Sequence, residues 1–250
     1  MKLFRVRLAL LAAAFPLMGT AASAQSTEPP PPLEAGGGMV WASLGFQGDL
    51  GGAVNSSGIG VVNGLRAEIN TNTWGERYDA ALIFRFGGAV NVSDQDQVFA
   101  TFTWDQAEAD LAPVGLVGGQ TLQAKFTDYQ GWGIDGGYRY FPNLGTAVKP
   151  FVSVSIGFQR LQAITVDFTS PRFNATAVPF YDDSWVAIWQ VGTGFLIDFN
   201  EHVGLQVTAD IKHAGVLSDS AGLGTLGWER VNDVGNRWTL PVLTGIYVKF

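Results

Sequence analysis

The chain contains no cysteine, and past its first 24 residues it has no long apolar run and no cluster of lysine and arginine. Without cysteine it can hold neither disulfides nor thiolate chemistry, so its stability must come from a core, a closed sheet or a lipid environment. Without about 18 consecutive apolar residues no helix can cross a bilayer, and any crossing must be made by strands. A formal net charge of −7 and the lack of a basic patch exclude nucleic acid as a partner, because nothing displaces its counterions. Histidine is scarce too, with only His202 and His213 available for acid–base work.

What is present begins with a targeting pattern. Lys2, Arg5 and Arg7 precede the apolar run from Leu8 to Phe15, which Pro16 breaks, and Ala22-Ser23-Ala24 offers a small-x-small cleavage site. Residues 1–24 therefore read as a cleaved secretory signal peptide. The run is too short for a spanning helix, which needs about 20 apolar residues. Its removal leaves 12 Lys+Arg against 22 Asp+Glu, a formal charge of −10. Residues 25–38, QSTEPPPPLEAGGG, read as a spacer that is extended through the prolines and flexible through the glycines. From residue 39 to residue 250 the texture is uniform, which predicts one domain.

Gly 32, Phe 17 and Trp 8 against 15% charged residues suit a β-protein, and the apolar period in this domain is two. The first strand sets Val40, Ala42, Leu44 and Phe46 against Trp41, Ser43, Gly45 and Gln47. The second sets Tyr78, Ala80, Leu82, Phe84 and Phe86 against Asp79, Ala81, Ile83 and Arg85, and the third opposes Val98, Ala100, Phe102 and Trp104 to Phe99, Thr101 and Thr103. In the fourth, Trp132, Ile134, Tyr138 and Tyr140 face away from Asp135, Gly137 and Arg139. The fifth runs Val152 to Phe158, the sixth through SWVAIWQVGTGFLIDF, the seventh Val203 to Lys212, and the last is TLPVLTGIYVKF. Eight such strands predict a closed antiparallel up-and-down barrel. Periodicity alone leaves open whether the apolar face points into a soluble core or out into lipid.

Three features favour lipid. The connections 142–149 and 200–202 are short, while 51–72, 162–181 and 213–236 are long, the asymmetry of outer-membrane barrels. Aromatics gather at strand ends: Trp74, Trp104, Trp185 and Trp238 near the long loops, and Tyr140, Phe141, Phe151, Phe199 and Phe250 near the short turns. They predict two interfacial girdles. Trp41 falls on the opposite face, which counts against the register of the first strand. Finally, a chain that stops within a strand is explained if that strand closes on the first, since closure removes both edges.

With its signal, its amphipathic strands, GGYRYFPN before a short turn and a terminal strand ending on Phe250, the chain resembles the small eight-stranded outer-membrane barrels of Gram-negative bacteria, of the OmpA-barrel, OmpX and OmpW type. The resemblance implies location in the outer membrane among its lipid and lipopolysaccharide. It also implies delivery by the barrel-assembly machinery, which would read the terminal strand at Phe250. Val248 departs from the aromatic often found third from the end of such signals.

The candidate chemistry lies on the polar face, where Arg85, Asp135, Arg139, Asp210 and Lys212 would meet inside the barrel. Such charges must pair in a narrow lumen. They read as a lumen-filling plug in preference to a conduction path or proton relay, since eight strands leave room for little more than side chains. GLGTLG at 222–227 matches the dinucleotide pattern G-x-G-x-x-G but lies between strands and reads as a flexible loop. SDQDQ at 93–97 reads as a turn, lacking the glycine and glutamate of a calcium loop. No catalytic residue, cofactor or metal is expected. His213, near Ser218 and Ser220, is the single enzymatic candidate, with Gly215 where a lipid deacylase pattern would place its serine. The expected role is structural, surface-interacting or a narrow pore. The rivals are a lipid-modifying enzyme on the same barrel and a soluble binder of an apolar ligand.

Overall fold

A computed structural model describes residues 33–144 and 147–250 of the chain; the signal-peptide reading and most of the spacer reading fall outside them. The first long strand, β1 (Gly38–Gly51), leads into a connection holding β2 (Ala53–Asn55), β3 (Gly58–Val62), β4 (Leu65–Ile69), β5 (Asn72–Thr73) and one helical turn, α1 (Trp74–Arg77). Then β6 (Ala81–Asn91) turns tightly into β7 (Asp96–Ala107), and a second connection carries β8 (Ala112–Val117) and β9 (Gln120–Phe126). The pair β10 (Tyr129–Tyr140) and β11 (Val148–Leu161) is followed by β12 (Ile164–Ser170) and β13 (Phe173–Tyr181). Last come β14 (Ser184–Asp198), β15 (Val203–Ala214), a 3-10 segment (Ala221–Leu226) and β16 (Arg237–Lys249).

The eight long strands close in the order β1-β16-β15-β14-β11-β10-β7-β6, each antiparallel to its neighbours. The last strand is the seam of the barrel. β16 pairs with β1 from Lys249 opposite Met39 to Trp238 opposite Gly51. At its end Phe250 N donates to Gly38 O at 3.0 Å, and Gly38 N returns a bond to Phe250 O at 2.8 Å.

The faces are those of a membrane barrel. Leu44, Phe86, Phe102, Ile134, Ile156, Val191, Ile211 and Ile246 point outward and are exposed, while Arg85, Asp135, Arg139, Asp210 and Lys212 are buried inside. Each wall strand pairs with a neighbour on both sides, so the barrel has no open edge, as strands that cross hydrocarbon require. The first-strand register is also as expected. Trp41 breaks the girdle pattern because it is an interior residue, 2% exposed, and not because the strand has slipped.

Several expectations need correction. Trp74, Phe141 and Phe151 are buried and belong to no outer girdle, and Tyr78 is buried ahead of β6 rather than facing outward. Residues 33–38 are not a flexible spacer. Leu33 packs with Met39, Phe141, Phe151 and Tyr247 in the short-turn mouth of the barrel, and Asn91 bonds both Gly36 N and Gly37 O through its backbone.

The largest departure is at the other end. Three of the connections, 51–80, 108–128 and 162–183, build a second sheet in the order β13-β12-β9-β8-β4-β3. This sheet curls over its own apolar core, which includes Val62, Leu122, Phe126, Phe168, Phe180 and Trp228. The remaining connection, 215–236, packs against β12, β13 and β3. Trp228 packs on Phe168 and Phe173 with ring centroids 5.2 and 6.1 Å away. A Cβ on Gly60 of β3 would sit 2.8 Å from the same indole, and one on Gly222 would sit 2.5 Å from Pro179 O of β13. GLGTLG is thus a 3-10 stave of this cap with Leu223 buried, not a flexible loop.

Candidate functional site

Among the described residues the lumen holds the largest group of buried charges, and it is arranged in three layers. At the short-turn end, β10 turns Arg139 inward. Its guanidinium carbon lies 4.4 Å from the Trp41 ring centroid, 4.6 Å from Phe99 and 4.8 Å from Phe151. Arg139 Nη1 also donates to Gln206 Oε1 at 3.3 Å and Gln97 Oε1 at 3.4 Å. Aromatic faces replace a carboxylate here, and such a desolvated contact stabilises by up to about 2 kcal/mol. Inward glycines make room for the rings: a Cβ on Gly87 would stand 2.3 Å from Trp41 Cζ2.

In the middle layer Arg85 spans the lumen. It donates to Asp210 Oδ2 at 2.7 Å and Gln190 Oε1 at 2.9 Å. Asp135 accepts from Thr101. The Lys212 ammonium makes no hydrogen bond among the described residues and interacts through space with Asp105 and Asp135. The five residues named from the sequence therefore share one lumen, but only Arg85 and Asp210 form an ion pair.

Under the cap, Arg237 is held by Asp49 at 2.5 and 3.1 Å. It also stacks over Tyr129 at 4.6 Å and Trp74 at 5.2 Å. Asp105 accepts from Gln159 at 2.8 Å, Tyr129 at 3.1 Å and Gln47 at 3.3 Å. Sequence reading missed Asp49, Asp105 and Arg237. Continuing the inward set Phe99, Thr101, Thr103 by one step reaches Asp105, so that residue was legible. Asp49 continues the inward set Trp41, Ser43, Gly45, Gln47 in the same way, and Arg237 stands one residue before the outward Trp238. With them the lumen holds four cations (Arg85, Arg139, Lys212, Arg237) and four carboxylates (Asp49, Asp105, Asp135, Asp210), none of whose side chains is more than 7% exposed. It is filled and formally neutral.

The outer wall carries one aromatic row below the cap. Phe84, Trp104, Trp132, Arg160 and Trp185 are successive cross-strand neighbours, and Trp189, His213 and Trp238 continue the row. His213 is therefore a girdle residue. Its ring lies 5.6 Å from Trp189 and 4.7 Å from Trp238, and it makes no hydrogen bond among the described residues. His202 lies exposed in the turn before β15. Tyr138, Tyr140, Phe199 and Phe250 are exposed at the opposite rim. In the turn at 93–97, Asp96 accepts from Ser93 at 2.6 Å and from Tyr138. Among the described residues no group of His, Asp and Glu could hold a metal ion.

Within the cap, burial pushes the Tyr78 and Tyr181 phenols well above their ordinary range. Tyr181 donates to Val54 O at 2.7 Å and Val234 O at 2.9 Å, and Tyr78 to Thr127 O at 3.1 Å. Burial lowers the Arg77 guanidinium, which donates to Pro113 O at 2.6 Å and to Asn72.

No family model matches the chain, and no curated protein sequence does. Among solved structures it is similar to Neisserial surface protein A, at 15% identity and a TM-score of 0.47, over 86% of this chain and 99% of that one. It is also similar to the outer membrane protein OprG from Pseudomonas aeruginosa (15% identity, TM-score 0.44, 87% of this chain, 97% of that one). Ail of Yersinia pestis matches at 9% identity and a TM-score of 0.41, over 87% of this chain and all of that one. On its own geometry, with an apolar outer band, an aromatic row at its cap-side rim, exposed aromatics at the opposite rim and a polar interior, the fold is that of a small outer-membrane barrel.

Proposed function

We propose that the chain is a structural and surface-facing protein of the outer membrane: a sealed barrel that holds a folded cap above the lipid on the cell exterior. The observation that carries this reading is the filled, charge-neutral lumen beneath a cap with its own core. A pore needs a hydrated path, and here Arg139 with its three rings and Leu33 stands in it. A hydrolase of the nucleophile type would use a histidine held by a carboxylate beside the nucleophile, and His213 lies instead between two tryptophans. The outer band would contact lipid and lipopolysaccharide. Phe250, whose backbone closes the seam, is the residue through which the assembly machinery would recognise the terminal strand.

The test is heat-modifiability in the outer-membrane fraction of a Gram-negative host, with conductance of the purified protein in planar bilayers. The reading expects a folded band that shifts on boiling, poor assembly when Phe250 is deleted, and no steady conductance. Recovery in the periplasmic extract, or a stable open channel, would contradict it.

A further inference from the structure

The aromatic row below the cap is not uniform around the barrel. On β7, on β10 and just past the end of β11, the outward residue one step nearer the cap is a glutamine. Gln106 stands two residues beyond Trp104, Gln130 two residues before Trp132, and Gln162 two residues beyond Arg160. Gln106 lies directly opposite Gln130, and Gln162 N donates to Gln130 O at 3.1 Å, so the three form a continuous second row. Gln106 and Gln162 are exposed and Gln130 is half-buried. Their side-chain amides bond no other group among the described residues. On β14 the same place is held by Asp183, to which Arg160 donates at 2.7 and 2.9 Å. The pattern stops at β6, where the corresponding positions, Phe84 and Leu82, are both apolar.

An interfacial girdle accounts for the tryptophans, whose amphipathic rings settle at headgroup depth. It does not account for a row of unbonded carboxamides on one side of the barrel only. Each amide presents two donors and two acceptor lone pairs in one plane, which complements adjacent hydroxyls on a sugar ring. A tryptophan face supplies the apolar surface on which the C–H face of such a ring packs. Trp185, 54% exposed, offers one here, with Trp132 against it at 4.9 Å.

The neighbours of the two rows select the occupant. A phosphate group would need a free cation, and Arg160 is already held by both oxygens of Asp183. The exposed Glu108 and Asp128 stand two residues nearer the cap than Gln106 and Gln130, so a bare anion is repelled there. Directly below the rows lies the apolar outer band, with Phe102 stacked on Trp132 at 6.3 Å. A ligand that lies across this boundary carries its sugar on a hydrocarbon tail. We infer that the outer wall across β7, β10, β11 and β14 binds the sugar headgroup of an outer-leaflet glycolipid, the tryptophan faces taking the ring and the glutamines its hydroxyls. This inference deepens, and rests on, the reading that the outer band contacts lipid and lipopolysaccharide beneath an exterior cap.

The test places the full protein in phosphatidylcholine vesicles with a digalactosyl lipid that carries a photoreactive diazirine on its glycerol. Cross-links are expected on peptides from β10, β11 and β14, suppressed by unlabelled digalactosyl lipid and not by phosphatidylglycerol. The combined substitution Gln106→Leu, Gln130→Leu and Gln162→Leu should lower the yield about tenfold, as the loss of a few net hydrogen bonds implies, with the heat-modifiable band intact. Gln123→Leu, at an exposed position on the cap, should leave it unchanged. Cross-links spread evenly onto β1 and β16, an unchanged yield in the triple variant, or equal suppression by phosphatidylglycerol would overturn the inference. Because such vesicles hold the glycolipid in both leaflets, these outcomes do not depend on which way the cap faces. Orientation is read separately, with a membrane-impermeant maleimide on Thr121→Cys in intact cells, and an unlabelled cysteine there sinks the exterior reading itself.

Discussion

Arg139 is a cation in a closed space with no carboxylate bonded to it, held by three rings and two glutamines. That arrangement works only because Gly87, directly opposite Trp41 on the neighbouring strand β6, leaves room for the indole. Gly87→Ala is expected to cost about 1–3 kcal/mol through overpacking against Trp41, read as a lower urea midpoint in vesicles with the fold retained. The Arg85–Asp210 pair makes a sharper case. Arg85→Leu strands a buried carboxylate and should cost about 3–5 kcal/mol, whereas Arg85→Leu with Asp210→Leu should recover most of that loss. Equal losses in the single and double variants would show that the pair does not set the cost. At this scale much was legible. Alternation placed Arg85, Asp135, Arg139, Asp210 and Lys212 inside, because a one-residue step in a strand is a change of face. The partners were not legible, since contact across a lumen depends on strand stagger, which no single strand encodes. Trp41 looked like an error for the same reason: the ring that matters to it, Phe99, lies on β7.

Two of the cap hairpins turn on residue pairs with positive φ, Asn63-Gly64 and Gly118-Gly119. Asn-Gly between apolar residues is a strong short-range hairpin signal, so β3 and β4 are legible inside the segment 51–72 even though it is a long connection between barrel strands. What no local pattern discloses is that these hairpins join edge to edge across connections more than forty residues apart, as β4 does with β8. The cap that results has its own pH limit. Tyr78 and Tyr181 keep their protons in the folded cap above the ordinary phenol value near 10. Because the folded pKa is raised, the unfolded cap binds fewer protons above that pH. The stabilisation is therefore complete below about pH 10 and is lost as pH rises beyond it. Tyrosinate absorbance and protease sensitivity of the cap should rise together in alkali, with Tyr181→Phe weakening the dependence. Ionisation of these phenols near pH 10 in a protease-resistant cap would refute their burial.

Taken whole, the molecule is inverted relative to a water-soluble protein through its barrel and conventional through its cap. The same period-two alternation wrote both, and the direction of the apolar face was settled by loop asymmetry and aromatic rows, not by periodicity. The absence of cysteine, which excluded disulfides, also makes any introduced cysteine a unique probe. A nitroxide attached at Ile156→Cys, an outward residue that is 71% exposed in the barrel, and one at Thr121→Cys on the cap should report opposite environments in liposomes. The account predicts frequent collisions of the Ile156 label with oxygen and few with an aqueous nickel complex, and the reverse at Thr121. A label at Ile156 that meets the nickel complex as readily as the one at Thr121 would contradict the placement of this barrel in lipid.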